Sequence, residues 1–315
     1  MKSPLRIAVI GVGHLGRYHA QKYASLEGCE LIGVVDQDPT QAAKVAAEVG
    51  CKPLETLQEA LNLVDAVSIA TPTQTHHNVG MACLDAGRHV LMEKPLAASL
   101  EEGRVLVERA ESSGLVLQVG YLERFNPAYA ACQNRIGQPQ FIEAIRIAPF
   151  VERGADVDVV LDLMSHDLDL VLAMAGAPLS DLHAVGISLR TDSTDLANTR
   201  LVFDNGCVAN LTASRISGKA ERRMRIFQKD RYFSIDFGKP AAREFATGAP
   251  APGGGVPIIE APLQVAPGDA LLSEISSFLA AVQQGSPPLV SGKDGLQVMT
   301  VAARIIKNIA ENRLP

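Results

Sequence analysis

The strongest constraint on the fold is a regular alternation, over the first 120 residues, of short apolar segments with longer segments of helical spacing. The apolar segments are LRIAVIG, ELIGVVD, VDAVSIA, HVLME and LVLQVG. Each is apolar throughout rather than at every second position, which is typical of parallel strands covered on both faces. The pattern therefore predicts an α/β domain over residues 1–120, built on a parallel doubly wound sheet.

The sequence after residue 120 has a different texture. Its strand-like segments are QFIEAIRIAPF, LHAVGISLR, TRLVFDNGCVANLTAS and RMRIFQKDRYFSIDF. The tripeptide DNG between two alternating runs indicates a β-hairpin, and helical spacing returns near residues 269–283 and 293–311. Because a chain of 315 residues is long enough for two cores, we predict a second, α+β domain over residues 121–315 with a largely antiparallel open sheet.

Charge and cysteine usage narrow the class of protein. The formal net charge is −6 with acids and bases interspersed, which disfavours a nucleic-acid-binding protein. No uninterrupted apolar run reaches about 18 residues, so no transmembrane helix is expected. The five cysteines form no C-x-x-C pair, and no His, Cys and Asp cluster has metal-ligand spacing. We therefore expect a protein of the reducing cytoplasm, without a disulfide framework or a metal site.

The segment AVIGVGHLG follows the first predicted strand and opens the first helix. Its glycines have the G-x-G-x-x-G spacing, in the context that a dinucleotide-binding loop requires. One glycine permits the tight turn, the next lets the backbone approach a pyrophosphate, and the third lets helix and strand pack closely. The helix N-terminus supplies N–H groups to the phosphates. The predicted cofactor-binding residues of this loop are Gly11, Gly13, His14, Leu15 and Gly16. The alternative is a strand-to-helix turn without a ligand.

Asp36 ends the second predicted strand, 20 residues after Gly16. Its carboxylate can accept a hydrogen bond from the 2′-hydroxyl of an adenine ribose, and it would repel a 2′-phosphate. No lysine or arginine lies beside it, so this domain is predicted to bind NAD rather than NADP. The alternative is a turn aspartate preceding Pro39.

The segment VLMEKPL places Lys94 just past the end of a parallel strand. Ligands of open α/β sheets bind outside the carboxyl ends of the strands. A lysine in this position can stabilise negative charge that develops on a substrate oxygen. The alternative is an exposed loop lysine.

The segments GVGHLG, VVDQDP, ATPTQTHH, MEKP and DLMSHDLD occur in an order that resembles the glucose–fructose oxidoreductase/inositol dehydrogenase/MocA (Gfo/Idh/MocA) family. The resemblance covers essentially the whole chain. It implies an N-terminal Rossmann domain, a C-terminal α+β domain with an open sheet, and hydride transfer between NAD(P) and a carbinol carbon of a sugar or cyclitol. It also implies that cofactor contacts come from Thr71, Thr73, His76 and Glu93. Lys94 would meet both cofactor and substrate, beside a cis peptide bond to Pro95.

A narrower resemblance rests on QVGYLERFNPAY, APFVERGADVDVVLDLMSHD and NGCVANLTASR. These segments resemble the branch that oxidises C3 of UDP-N-acetylglucosamine, whose ketone product an aminotransferase then aminates for lipid A or lipopolysaccharide synthesis. A nucleotide-sugar diphosphate needs cations, and Arg124 and Arg153 are the predicted clamps by analogy with other phosphate sites. Asn126 is predicted to help position the substrate. Both arginines could equally lie on the surface.

The segment DVVLDLMSHDLDLVLAMAG, residues 158–176, has helical spacing and carries a narrow polar stripe. On a helical wheel of about 100° per residue, the stripe consists of Asp158, Asp162, Ser165, His166 and Asp169. Asp162 and His166 are one turn apart, so the carboxylate can orient the ring and favour its charged form. We expect His166 to accept a hydroxyl proton, Asp162 to tune it and Lys94 to hold the same oxygen, although either His166 or Lys94 could be the base.

The remaining residues of this helix receive weaker predictions. Asp158 and Asp169 are expected to cap the helix or serve structure, and Asp167 has no predicted role. An ordinary amphipathic helix is the alternative for the whole segment.

Two other functions remain open on these residues. One is an NAD-dependent dehydrogenase of a free sugar or cyclitol, and the other is a non-catalytic NAD-bound sensor on the same fold. The combination of Lys94, Asp162 and His166 favours an enzyme, because a sensor does not require an acid/base pair. The broad second-domain sheet predicts a homodimer or homotetramer.

Overall fold

The computed structural model describes residues 3–152, 157–250 and 254–312. The chain forms two compact units. The first comprises Met1–Leu122 together with Ala270–Gln297, and the second comprises Glu123–Asp269 together with Val298–Pro315.

The first unit is built on a six-stranded parallel sheet, as the alternating pattern predicts. Its strands are β1 (Leu5–Ile10), β2 (Cys29–Val35), β3 (Lys52–Pro53), β4 (Ala66–Ile69), β5 (His89–Glu93) and β6 (Leu117–Gly120). Its first helices are α1 (His14–Ser25), α2 (Pro39–Val49), α3 (Leu57–Leu63), α4 (Thr73–Asp85) and α5 (Leu100–Ser112). The strand order is β3-β2-β1-β4-β5-β6, which is that of a Rossmann domain.

Local sequence sets the ends of these helices. Asp38 accepts a hydrogen bond from Thr40 N–H at the start of α2, with Pro39 in its first turn, and Gly50 ends the helix in the left-handed conformation. Ser99 and Glu102 form a capping box at the start of α5. These local signals set where α2 begins and ends and where α5 begins.

The second unit is built on an eight-stranded sheet in the order β14-β13-β12-β11-β7-β10-β9-β8. Short helices precede it: the 3-10 turns Leu122–Phe125 and Gln133–Arg135 and the helix α6 (Pro127–Ala130). Its strands are β7 (Phe141–Ile147), β8 (Leu179–Ile187), β9 (Leu196–Phe203), β10 (Val208–Ser214), β11 (Glu221–Phe227), β12 (Arg231–Asp236), β13 (Ala241–Thr247) and β14 (Ile258–Leu263). Between β7 and β8 lie a π-helical turn, Val160–Met164, and α7 (Ser165–Ala175).

The predicted antiparallel character of this sheet is confirmed, with one difference. Among the strands that the structure describes, every neighbouring pair is antiparallel except β7 and β10, which run parallel. The predicted hairpin is also confirmed: Gly206 turns with a positive φ of 83° between β9 and β10.

The two faces of this sheet differ. Along β7, Ile142 and Ala144 are buried and α7 packs on the sheet, whereas the alternate positions are half-buried. On the half-buried face four aromatic side chains stand opposite one another across neighbouring strands, and they are Phe141, Phe227, Tyr232 and Phe245. The Tyr232 and Phe245 rings stack at 4.3 Å between centroids.

The last two helices are α8 (Ala270–Gln284) and α9 (Gly292–Glu311), close to the predicted bounds. The compact units differ from the predicted division at residue 120, because residues 270–297 belong to the first unit. Ile275 and Phe278 of α8 are fully buried in the same core as Val9 and Tyr23. The predicted boundary assumed two continuous segments, and the apolar face of α8 instead completes the Rossmann core.

Candidate active site

The predicted cofactor residues of the first unit follow the carboxyl ends of neighbouring strands. Gly11 follows β1, Asp36 follows β2, Thr71 follows β4 by one intervening residue, and Lys94 follows β5. These strands are parallel and adjacent in the order β2-β1-β4-β5. The structure therefore brings the four positions to one edge of the sheet, where ligands of open α/β sheets bind.

The three glycines have the geometry expected of a dinucleotide-binding loop. Gly11 has a φ of +81°, and a Cβ added to Gly16 would lie 1.8 Å from the Gly11 carbonyl oxygen, so both predicted conformational requirements are confirmed. A Cβ added to Gly13 would meet no heavy atom within 4 Å. Gly13 thus leaves open space above an exposed backbone at the start of α1, and that helix has no side-chain cap. His14 and Leu15 are exposed beside it.

Asp36 follows β2 at this edge of the sheet, and its carboxylate also binds the backbone of the glycine loop. Its Oδ2 accepts a hydrogen bond from Val12 N–H at 2.7 Å, and its Oδ1 accepts one from Asp38 N–H at 3.0 Å. Gln41 Nε2 donates to the Val12 carbonyl at 2.6 Å. The loop residue is therefore held at both its N–H and its C=O. Gln41 has no signal in the sequence, because its contact spans 29 residues.

Thr71 and His76 contact one another, and the His76 side chain is buried. Thr71 Cγ2 would lie 2.8 Å from a Cβ added to Gly11, which places Thr71 against the glycine turn. His76 is only 1% exposed, with Nδ1 at 2.8 Å from the Pro95 carbonyl and Nε2 at 2.9 Å from the Thr71 carbonyl. Burial lowers the pKa of His76, against the opposing influence of these two carbonyls. Thr73, the first residue of α4, is half-buried.

Glu93 is the last residue of β5 and Lys94 follows it, and their side chains lie in different environments. The Glu93 side chain is buried, with Oε1 at 3.0 Å from His19 Nε2 and Oε2 at 3.2 Å from Lys94 N–H. Lys94 is half-buried. The peptide bond between Lys94 and Pro95 is cis, which confirms the expectation from the family resemblance.

The predicted helix over residues 158–176 consists of a π-helical turn followed by α7. A π-turn advances by fewer degrees per residue than the about 100° of an α-helix. Asp162 lies in the π-turn and His166 in the first turn of α7, so the wider turn brings the two positions closer to eclipsed than a regular wheel predicts. Both side chains are half-buried. Such turns are frequent at functional sites.

The rest of the predicted polar stripe serves structure. Asp158 Oδ1 accepts a hydrogen bond from Val160 N–H at 2.8 Å, and the Ser165 hydroxyl donates to the Leu161 carbonyl at 2.8 Å. Asp169 is fully buried and pairs with Arg124. The expected capping and structural roles of Asp158 and Asp169 are confirmed.

Asp167, which has no role in the sequence reading, belongs to a buried ion network. Arg146 of β7 binds it through two parallel bonds, Nε to Oδ2 at 2.9 Å and Nη2 to Oδ1 at 2.8 Å. Arg146 Nη1 also binds Glu123 Oε1 at 2.9 Å. Burial acts to lower the pKa of Arg146, but the two carboxylates outweigh it and raise the pKa well above its ordinary value. The network fastens the residue that follows His166.

The structure gives protein partners for two of the three predicted substrate residues. Arg124 binds Asp169 through Nε at 2.7 Å and Nη2 at 2.9 Å, and only 11% of its side chain is exposed. Asn126 donates to Glu123 at 3.0 Å and caps α6 by accepting from Ala128 N–H. Both residues thus have bonds within the protein, and a contact of either with a substrate stays a prediction. Arg153 lies outside the described residues.

Within residues 3–152, 157–250 and 254–312, no group of three or more His, Cys, Asp and Glu side chains could hold a metal ion. The same residues include no helix that is both long and apolar enough to cross a membrane. Lys94 belongs to the first unit, and Asp162 and His166 belong to the second.

Comparison with known proteins gives matches to both units. Residues 5–121 match the model of an oxidoreductase family with an NAD-binding Rossmann fold, and residues 132–233 match a GFO/IDH/MocA C-terminal domain. The chain is 42% identical over 302 residues to the UDP-N-acetylglucosamine 3-dehydrogenase of Acidithiobacillus ferrooxidans, with 96% of each chain covered. It is 32% identical over 240 residues to the scyllo-inositol 2-dehydrogenase (NAD(+)) of Bacillus subtilis, with 69% of each covered.

Comparison with solved structures also finds similar dehydrogenases. The crystallised UDP-N-acetylglucosamine 3-dehydrogenase of Acidithiobacillus ferrooxidans superposes with a TM-score of 0.92 at 40% identity, over 98% of this chain and 99% of the other. A levoglucosan dehydrogenase in complex with NADH and levoglucosan has a TM-score of 0.86 at 19% identity, over 99% and 98% of the two chains. The second likeness shows the fold alone.

Proposed function

Because this chain belongs to the Gfo/Idh/MocA family of NAD-binding oxidoreductases, we propose that it oxidises the C3 hydroxyl of UDP-N-acetylglucosamine to a ketone. One observation carries the choice of substrate: 42% identity to a UDP-N-acetylglucosamine 3-dehydrogenase over 96% of both chains. The similarity to an inositol dehydrogenase is lower and covers less of the chain. A cyclitol or free sugar is therefore the second candidate.

The first unit fits NAD through its own residues. The open space at Gly13 and the uncapped start of α1 suit a pyrophosphate, with His14 and Leu15 beside it. Asp36 suits an unphosphorylated adenine ribose, since its charge would repel a 2′-phosphate. Thr71 and Thr73 follow the next strand along the same edge and are assigned to the nicotinamide half. When bound, NAD supplies the hydride acceptor.

The residues of the chain manage the proton and the charge. His166 accepts the C3 hydroxyl proton on its imidazole while the C3–H bond breaks. Asp162 precedes it by one turn, and its carboxylate orients the ring and favours the protonated form. Lys94 donates from Nζ to the substrate hydroxyl oxygen and stabilises the developing negative charge.

The setting of the reaction follows from the product and from the second unit. A 3-keto sugar nucleotide is a substrate for an aminotransferase. We therefore place the oxidation directly before an amination step that leads to lipid A or lipopolysaccharide synthesis. The half-buried aromatic row Phe141, Phe227, Tyr232 and Phe245 supports pairing of two sheets in a homodimer or homotetramer. Five free thiols and the need for NAD suit the cytoplasm.

A turnover assay tests the substrate. The purified protein is incubated with NAD and UDP-N-acetylglucosamine, and NADH is followed by absorbance while a hydrazine reagent removes the ketone. We expect NADH formation that depends on the nucleotide sugar and a trapped 3-ketone by mass spectrometry. Turnover of myo-inositol instead would make a cyclitol the substrate. NAD binding without turnover of either would favour the sensor.

A variant tests the base. His166→Ala should lower kcat by about 10²- to 10⁴-fold, while NADH binding, measured by fluorescence, stays within twofold of wild type. His183→Ala, at an exposed histidine of β8 in the same unit, is the matched control and should leave kcat unchanged. Near-normal turnover of His166→Ala would remove His166 from the mechanism.

A further inference from the structure

His19 is a fully buried histidine that no predicted function uses. It lies on α1, three residues after Gly16, and is 1% exposed. Its Nδ1 is 2.7 Å from the Ser68 hydroxyl, and its Nε2 is 3.0 Å from Glu93 Oε1. The ring therefore links α1 to the strands β4 and β5 at the edge of the sheet where Lys94 lies.

The protons of this chain of contacts can be assigned from the chemistry of its members. A carboxylate accepts, so His19 Nε2 carries the proton that faces Glu93. In this tautomer Nδ1 accepts from the Ser68 hydroxyl. The second carboxylate oxygen of Glu93 accepts from Lys94 N–H at 3.2 Å. Each oxygen of this buried carboxylate thus has a donor, and one of them is the backbone of Lys94.

A second buried histidine holds the other side of Lys94. His76 is 1% exposed, and its Nδ1 lies 2.8 Å from the carbonyl of Pro95. Its Nε2 lies 2.9 Å from the carbonyl of Thr71. The residue before Lys94 and the residue after it are therefore each bound by a histidine that reaches back to another part of the sheet edge.

We propose that His19 and His76 are positioning residues for Lys94, acting through Glu93 and the Pro95 carbonyl, and this rests on the function proposed for Lys94. A histidine used only for packing would be more costly than an apolar side chain, because burial of polar nitrogens is unfavourable unless they are hydrogen-bonded. Here one nitrogen of each ring is directed at a neighbour of Lys94. A displacement of about 1 Å at a catalytic group can cost about 10²-fold in rate.

Asparagine and glutamine variants separate the two nitrogens of each ring. The asparagine amide reaches the position of Nδ1, and the glutamine amide reaches that of Nε2. At position 19, His19→Gln keeps the donor to Glu93 and His19→Asn keeps only the contact to Ser68. At position 76 the relation is reversed, because the asparagine amide can donate to the Pro95 carbonyl and the glutamine amide can donate only to the Thr71 carbonyl.

The expected result is an opposite order of activity at the two positions. His19→Gln should retain most of the turnover and exceed His19→Asn in kcat by about tenfold or more. His76→Asn should exceed His76→Gln by a similar factor. His77→Asn, at the neighbouring half-buried histidine whose contact is to Asn78, is the control and should match wild type.

A second readout does not depend on the substrate. Hydrogen–deuterium exchange of the Lys94 amide reports its bond to Glu93 in the folded protein. We expect exchange to be about tenfold faster in His19→Asn than in His19→Gln. If His19→Asn does not fold, Glu93→Met and Glu93→Gln report the same link, because only glutamine keeps an acceptor for Lys94 N–H, and exchange should accelerate in Glu93→Met alone.

The outcomes distinguish this proposal from the proposed function. The same order of asparagine and glutamine at both positions, or equal losses in all four variants, would overturn positioning in favour of general packing. The wild type could fail to oxidise UDP-N-acetylglucosamine while the Lys94 amide still exchanges faster in His19→Asn than in His19→Gln. In that case the substrate proposal fails, and the proposal that His19 positions the Lys94 backbone stands. Equal exchange in His19→Asn and His19→Gln overturns it whatever the substrate.

Discussion

At the scale of single residues, His89 of the first unit is held in a state that acid would disturb. His89, at the start of β5, accepts a hydrogen bond on Nδ1 from Val116 N–H at 3.0 Å. A protonated ring would present N–H to N–H at this contact. Burial is the main cause that lowers the pKa of His89, and Asp65 opposes it. The folded chain therefore resists a proton that the unfolded chain accepts readily.

The pH dependence of stability follows from this difference. His89 has an ordinary pKa of 6.5 and a lower one in the folded chain. Below 6.5 the unfolded state binds more protons than the folded state, so the free energy of unfolding falls as the pH is lowered through this window and recovers above it. His89→Asn should flatten that slope, because its amide oxygen accepts from Val116 N–H without titrating. Urea unfolding at several pH values measures the slope.

The control for this prediction is His183→Asn, at an exposed histidine of β8. It should keep the wild-type slope. A His89→Asn protein whose stability falls with acid as steeply as that of the wild type would show that His89 does not contribute.

At the scale of elements, the sequence predicts most strands and helices but not the side-chain contacts that join them. Apolar runs and caps are local signals, so the parallel strands, the hairpin at Gly206 and the glycine turn follow from short segments. The pairing of Arg124 with Asp169 spans 45 residues, and nothing local tells whether a carboxylate or a substrate engages that arginine. The π-turn at Val160–Met164 also lacks a sequence signal. These long-range and irregular features are the ones that the sequence did not predict.

The ion network of Arg146 attaches α7, the helix that carries His166, to the strand β7. Arg146→Met leaves the buried carboxylates of Asp167 and Glu123 without their cation. We expect a loss of about 3–5 kcal/mol in the free energy of unfolding, measured by urea denaturation. Arg146→Lys should lose less free energy of unfolding than Arg146→Met. It should still be less stable than the wild type, because an ammonium cannot form the paired bonds to Asp167.

The same strand offers a matched control on its other face. Glu143 of β7 pairs with Arg225 of β11, and both side chains are partly exposed, at 27% and 40%. Arg225→Met should cost less than about 1 kcal/mol. Equal losses at Arg146 and Arg225 would show that burial of the network adds nothing to stability.

At the scale of the whole molecule, chain order and packing order differ. The Rossmann core is made from residues 1–122 and from residues 270–297 that follow nearly the whole second unit. Composition and periodicity predict α8 as a helix, but an apolar face does not state which core it will enter. The second unit has buried aromatic residues of its own, such as Phe233 of β12.

Two phenylalanine variants test this discontinuous core. Phe278 of α8 and Phe233 of β12 are both 0% exposed, and they belong to the first and second unit respectively. Each substitution by alanine should cost about 3–5 kcal/mol. In hydrogen–deuterium exchange, Phe278→Ala should remove protection first from β1 and α1, although these lie more than 250 residues away in the chain, and Phe233→Ala should do so from β11 and β12. If Phe278→Ala instead loosened the strands of the second unit first, α8 would have to be counted with the second core.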